Sequence, residues 1–196
     1  MNNPVRMHGF AFVELLVSVV IIGFGLLAIS ALQTNALQAT NAAYLRTAAS
    51  EYAVAFSERM RTNTADSIYR YDEDNSVYIL APVVACYLQA ASNTALTDRA
   101  TECNKVTNTS QTAIVNADVA SMSQWISNAS STLPQGTWAL NLLRNGAVAS
   151  GITAANCNFS LAAGAAASQP CSLQVSVTWQ ESRASAAVAS ISYTFR

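Results

Sequence analysis

A run near the N-terminus constrains this chain more than anything after it. Phe10 to Leu32 reads FAFVELLVSVVIIGFGLLAISAL, with Glu14, Ser18 and Ser30 as its polar side chains. From Leu15 to Leu32 there are 18 residues without a charge. At about 1.5 Å per residue, such a helix spans roughly 27 Å, close to the hydrocarbon thickness of a bilayer. Ahead of it lies the short polar opening MNNPVRMHG, whose one formal positive charge is Arg6. A cation on that flank favours a cytoplasmic N-terminus, with the rest of the chain beyond the membrane.

Three architectures compete for this run, and Glu14 separates them. A secretory signal removed after a small residue such as Ala36 has an apolar core of about 7–15 residues, shorter than this one. A plain single-span anchor leaves an acid in lipid at a cost of about 2.5–3.5 kcal/mol. The third architecture gives the acid a use. Cleavage between Gly9 and Phe10 creates a new amine at Phe10 and makes Glu14 the fifth residue of the mature chain. In a bundle of staggered helices, Glu14 of one copy then faces the Phe10 amine of the next. A buried carboxylate with such a partner is tolerable, and without one it is expensive. The pair also favours one axial register over others.

Gly9-Phe10 followed by Glu14 inside an unbroken apolar helix resembles the class III signal of the type IV pilin-like family. The chain departs from that family's common GFTLIE run at Ala11, Phe12 and Val13. The resemblance implies that a membrane prepilin peptidase cuts after Gly9 on the cytoplasmic side and methylates Phe10. It also makes Glu14 the assembly residue. Within the family, GFGLLAISALQTNALQ (23–38), SQWISNASSTLPQG (123–136) and CSLQVSVTWQ (171–180) are similar to the PilV-type minor pilins. That similarity implies a Gram-negative minor pilin that primes pilus assembly, with effects on adhesion and twitching motility. Its expected partners are other minor pilins, the major pilin, the prepilin peptidase and the inner membrane. Its expected location is a single pass through that membrane with the head in the periplasm, and then the pilus. The pseudopilins of type II secretion share the same N-terminus and supply the alternative.

The expected fold is α+β: a long N-terminal helix packed against an antiparallel sheet. The chain divides into a leader (1–9), a membrane or filament-core helix (10–32), an amphipathic continuation (33–61) and a globular head (62–196). Leu37, Tyr44, Ala48, Tyr52, Phe56 and Met60 recur mostly at multiples of three or four, which places them on one helix face. Gly23 and Gly25 each cost roughly 1 kcal/mol of helix propensity. They mark either close helix packing or a spot that unwinds on assembly, and in the pilin family this zone can lose helicity.

Residues 62–115 read as mostly irregular. Asp72, Glu73 and Asp74 suit a solvated turn between a helix end and a strand, before an apolar run from Val77 to Val84. Their spacing does not fit an EF-hand loop. The Asn- and Thr-rich stretch 86–115 reads as loop. A short helix is expected to start near Asp118 as N-cap. It would bury Val119, Met122, Ile126, Ala129 and Leu133 until Pro134-Gln135-Gly136 breaks it. Trp125 beside that face reads as packing. Thr137–Leu143 is a strand candidate, with Asn145-Gly146 as a turn signal. Leu173, Val175, Val177 and Trp179, then Ala187, Ala189, Ile191, Tyr193 and Phe195, alternate with polar residues. Two such runs predict an antiparallel hairpin.

Four cysteines, Cys86, Cys103, Cys157 and Cys171, follow an export-like start, which suggests disulfides in an oxidising compartment. Of the three possible connectivities, Cys86–Cys103 with Cys157–Cys171 is favoured, because each pair closes a short polar segment. Zinc is disfavoured. No Cys-x-x-Cys pair exists, and the sole histidine, His8, lies in the leader.

The same inventory argues against an enzyme. There is no glycine-rich phosphate loop, nucleophile elbow or His-Glu-x-x-His motif. An exported hydrolase built on acids such as Asp72 or Asp118 is the alternative from that class. The formal net charge of -1, from 10 basic and 11 acidic residues, offers no basic face for nucleic acid. No catalytic residue, cofactor, metal or small-molecule substrate is therefore expected. Asn108, Asn128 and Asn158 sit in Asn-x-Ser/Thr triplets to which no function is attached.

Overall fold

The computed structural model describes residues 10–64, 68–73, 77–91, 99–128, 131–149, 157, 171–181 and 188–195. The leader with its cleavage position Gly9 lies outside the described residues, as do Asp74, Ala129, Asn158 and Ala187. The chain forms two units, Met1–Tyr44 and Leu45–Arg196. A single helix, α1, runs from Phe10 to Asn63 and belongs to both. No proline occurs between Pro4 and Pro82, so nothing in that stretch removes a backbone donor or fills the space of a preceding carbonyl. The expected end at Arg61 is met within two residues, where Thr64 donates its N–H to the Met60 carbonyl at 2.9 Å.

The head is the second unit. Its elements after α1 are β1 (Tyr69–Asp72), β2 (Val77–Leu80), α2 (Pro82–Ala90), α3 (Arg99–Cys103) and α4 (Thr109–Ile126). They continue with β3 (Thr137–Arg144), β4 (Ala147–Val148), β5 (Ser172–Gln180) and β6 (Val188–Phe195). A four-stranded antiparallel sheet has the order β4-β3-β5-β6, and β1 and β2 form a separate hairpin. The long N-terminal helix packs against this C-terminal sheet in an α+β layout, as expected. The two-residue periodicity of β5 puts Leu173, Val175, Val177 and Trp179 on the buried face. Leu140 and Leu142 of β3 join them in one core with Leu45, Ala49, Ala53, Phe56 and Met60 of α1. The Phe56 ring stands 5.3 Å from that of Trp138 in β3 and 5.9 Å from that of Tyr87 in α2. Asn145 and Gly146 take φ of 53° and 79°, the left-handed pair a tight two-residue hairpin requires. They set the register Arg144↔Ala147 and Leu143↔Val148.

Several expectations need correction. Residues 62–115 are not mostly irregular, for they carry the β1–β2 hairpin, α2, α3 and the start of α4. The apolar run from Val77 divides at Pro82. Strand β2 ends at Leu80, and the proline opens α2, where its missing N–H costs nothing. Val83 to Leu88 are all buried, so α2 shows no polar face to reveal a helical period. Within the Asn- and Thr-rich stretch, residues 86–90, 99–103 and 109–115 are helical because tertiary packing overrides weak propensity. Asn108, not Asp118, caps α4, its side chain accepting from the Ser110 N–H at 3.0 Å. Asp118 lies in the middle of that helix and is buried.

Helix α4 stops at Ile126, short of Leu133, although Val119, Met122, Ile126 and Leu133 are buried as expected. The chain folds back at Gly136 so closely that a Cβ there would collide with the Ile126 carbonyl oxygen. On α1, Leu37 and Tyr44 are exposed, and the buried face begins at Leu45. Asp72 and Glu73 sit at the end of β1, at a strand–strand turn rather than a helix–strand one.

Both sequential disulfides are formed, Cys86–Cys103 and Cys157–Cys171. The first joins α2 to the end of α3, two helices rather than the expected loop. The second holds the residue just before β5.

Candidate functional site

The sequence singled out one end of α1, and the site is built there. Phe10 is the first residue of the helix, and Glu14 follows four residues on, about one turn or 6 Å of rise. The Glu14 side chain is exposed and makes no hydrogen bond or ion pair with a described residue. It is also the only charged side chain from Phe12 to Leu45.

The surface around it is apolar. Fourteen large hydrophobic side chains between Phe12 and Leu32 are at least half exposed, Phe12 reaching 70%. None of the most apolar 18-residue window of this helix is buried. Covering a large apolar side chain stabilises by about 1.5–3 kcal/mol, so leaving fourteen in water forgoes on the order of 20–40 kcal/mol. That exceeds the roughly 5–15 kcal/mol by which a domain is stable. This segment therefore needs an apolar environment. Among the described residues it is the one helix long and apolar enough to cross a membrane.

The other polar groups of the segment satisfy themselves. Ser18 donates to the Glu14 carbonyl at 2.7 Å, Ser30 to Leu26 at 2.9 Å and Thr34 to Ser30 at 3.0 Å. Each hydroxyl returns its proton to the preceding turn, the usual economy of such residues in lipid. Glu14 alone is left with a demand the helix cannot meet. The helix passes through Gly23 and Gly25 without interruption, and a Cβ at either would meet nothing within 4 Å. Among the described residues no packing requires them.

The head holds one polar cluster that sequence reasoning missed. Asp118 of α4 accepts from the Tyr87 hydroxyl at 2.6 Å and pairs with Arg59 of α1 at 3.7 Å. Asn63 of α1 donates to the Tyr87 oxygen at 3.2 Å and to the Gln111 carbonyl at 3.3 Å. The Arg59 guanidinium lies 4.7 Å above the Trp125 ring, which stacks on Tyr52 at 5.6 Å. Trp125 is thus a packing residue between two helices. The cluster ties α1, α2 and α4 together. Asp118 is committed to Tyr87 and Arg59. Among the described residues no group of three or more His, Cys, Asp or Glu is placed to hold a metal. The only advance signal of the cluster was the odd acid inside an apolar helical pattern.

Burial, and then the hydrogen bond to Asp118, push the Tyr87 phenol well above its ordinary value of 10. The folded head therefore keeps a proton that the unfolded chain releases near pH 10. Stability should fall as pH rises through that point, at up to about 1.4 kcal/mol per unit for one such group. Urea midpoints at pH 8, 10 and 11 test this, and Tyr87→Phe should flatten the slope while lowering the midpoint at pH 8.

Comparison of the chain with family models, curated proteins and solved structures returned no match.

Proposed function

We propose that this chain is a minor pilin subunit of a type IV pilus, processed after Gly9 by a prepilin peptidase and anchored by α1 before assembly. The observation that carries the proposal is Glu14. It is a single acid without a partner among the described residues, four residues beyond Phe10, on a helix whose apolar surface is otherwise uncovered. A new amine at Phe10 on a neighbouring subunit gives that acid a partner, and sister helices give the apolar surface a cover. The mechanism is stacking. Burial of the helix supplies the energy, and the pair of charges sets the axial offset. Two disulfides in the head suit an oxidising compartment outside the cytoplasm.

On this reading the subunit works with other minor pilins and the major pilin to prime the filament. Adhesion and twitching motility then depend on it. It acts as an assembly part with no catalytic residue, cofactor, nucleic acid or small-molecule substrate.

Mass spectrometry of the mature protein from its native host is the direct test. The expected N-terminal peptide begins at Phe10 with a methylated amine. A peptide that retains Met1–Gly9, or that begins near Leu37, removes the basis for the charge pair.

A further inference from the structure

The two disulfides differ in what surrounds them. Cys157 and Cys171 are both fully buried. Cys86 is 3% exposed, whereas Cys103, at the end of the five-residue helix α3, is only half-buried. Beside the Cys86–Cys103 bridge opens a surface cavity of about 380 Å³, lined by both cysteines with Gln89, Asn104, Thr112 and Asn116. Ala90 and Val115 complete a lining that is uncharged and carries amides and a hydroxyl, so a polar reactant enters without a charge penalty.

We propose that Cys86–Cys103 is a thiol–disulfide exchange site open to a dithiol, and that Cys157–Cys171 is inert in the folded head. Exchange requires a thiolate to reach a disulfide sulfur, so access decides between bridges of similar loop length. The sequence separations of 17 and 14 are too alike to decide it. One thiolate of the reductant attacks the Cys103 sulfur. The S–S bond breaks, and the Cys86 sulfur leaves with the electron pair and takes a proton. The reductant's second thiolate then attacks its own sulfur in the mixed disulfide and expels the Cys103 thiolate. Two electrons pass to the protein, and the reductant becomes a disulfide. The opened form loses the covalent tie between α2 and α3, while the tie before β5 and the four-stranded sheet persist. The surface formed by α3 and the cavity thus becomes redox-dependent.

The full-length chain, held in detergent without denaturant, is exposed to graded dithiothreitol, then quenched with N-ethylmaleimide and mapped by peptide mass spectrometry. Cys86 and Cys103 should label roughly tenfold or more faster than Cys157 and Cys171, following access alone. Far-UV circular dichroism of the singly reduced form should retain the strand signal. Equal rates, earlier labelling of Cys157 and Cys171, or no labelling until denaturant is added each overturn the proposal. A Cys86→Ser/Cys103→Ser variant under the same reductant should show no free thiol. Thiols at Cys157 or Cys171 in a variant that has kept its strand signal contradict the inertness assigned to them.

Discussion

A Glu14→Ala chain is expected to insert into the membrane normally and to be lost from filaments. The two effects have opposite signs, which makes the result informative. On insertion scales an acid in a helix core costs about 2.5–3.5 kcal/mol, so its removal favours the membrane-bound state. On the proposed function, the same acid offsets a neighbour's Phe10 amine in the filament. Removing one member of a buried ion pair leaves the other uncompensated, at about 3–5 kcal/mol. Even the lower figure corresponds to a factor of more than 100 in an equilibrium constant. Incorporation should therefore fall at least tenfold, read as the ratio of subunit in sheared filaments to subunit in membranes. Glu14→Gln keeps the size without the charge and should fail similarly, while Glu14→Asp should retain part of the activity. Normal incorporation of Glu14→Ala would overturn the charge pair as the assembly contact, and full function with no subunit in filaments would reduce α1 to a tether for a head that works alone. If surface pili and twitching survive loss of the chain while protein secretion stops, the apparatus is a type II secretion filament built on the same contact.

The parts of the molecule that were readable in advance are those whose signal is local. The apolar run from Phe12 to Leu32 declares its helix by composition alone, without reference to any partner. The alternation from Leu173 to Trp179 and the Asn145-Gly146 turn each specify their conformation within a few residues, and the sheet follows from them. Three readings failed where the deciding contact was distant. Asp118 has the composition of a cap, but its partners are Tyr87, 31 residues earlier, and Arg59 on another helix. The helical character of 99–103 and 109–126 rests on packing against α2 and on the Cys86–Cys103 bridge, which propensity does not register. Leu37 and Tyr44 share the spacing of Ala48 and Phe56 yet are exposed, because a helical period says which residues share a face and not where cover begins.

That last distinction gives a second large effect, contained wholly in the head. Phe56→Ala should destabilise the head by about 3–5 kcal/mol, the range for emptying a buried aromatic site. Phe56 is fully buried, and its ring meets Trp138 of β3 and Tyr87 of α2. It is thus the point where α1, a second helix and the sheet touch one side chain. The loss is a third or more of the stability of an average domain. At roughly 2–4 °C per kcal/mol for a unit of this size, the melting temperature should drop by about 10 °C. Phe56→Leu fills most of the volume and should cost less than half as much. Leu37→Ala removes an equally apolar residue at a similar spacing, but one that is 72% exposed. It should shift melting in detergent by no more than an ordinary surface change, within about 0.5 kcal/mol. Near-UV circular dichroism of the three variants on heating measures all of this at once. Comparable shifts for Phe56→Ala and Leu37→Ala would mean that α1 is not held to the sheet through this ring. The head would then owe its stability to the sheet and the bridges alone.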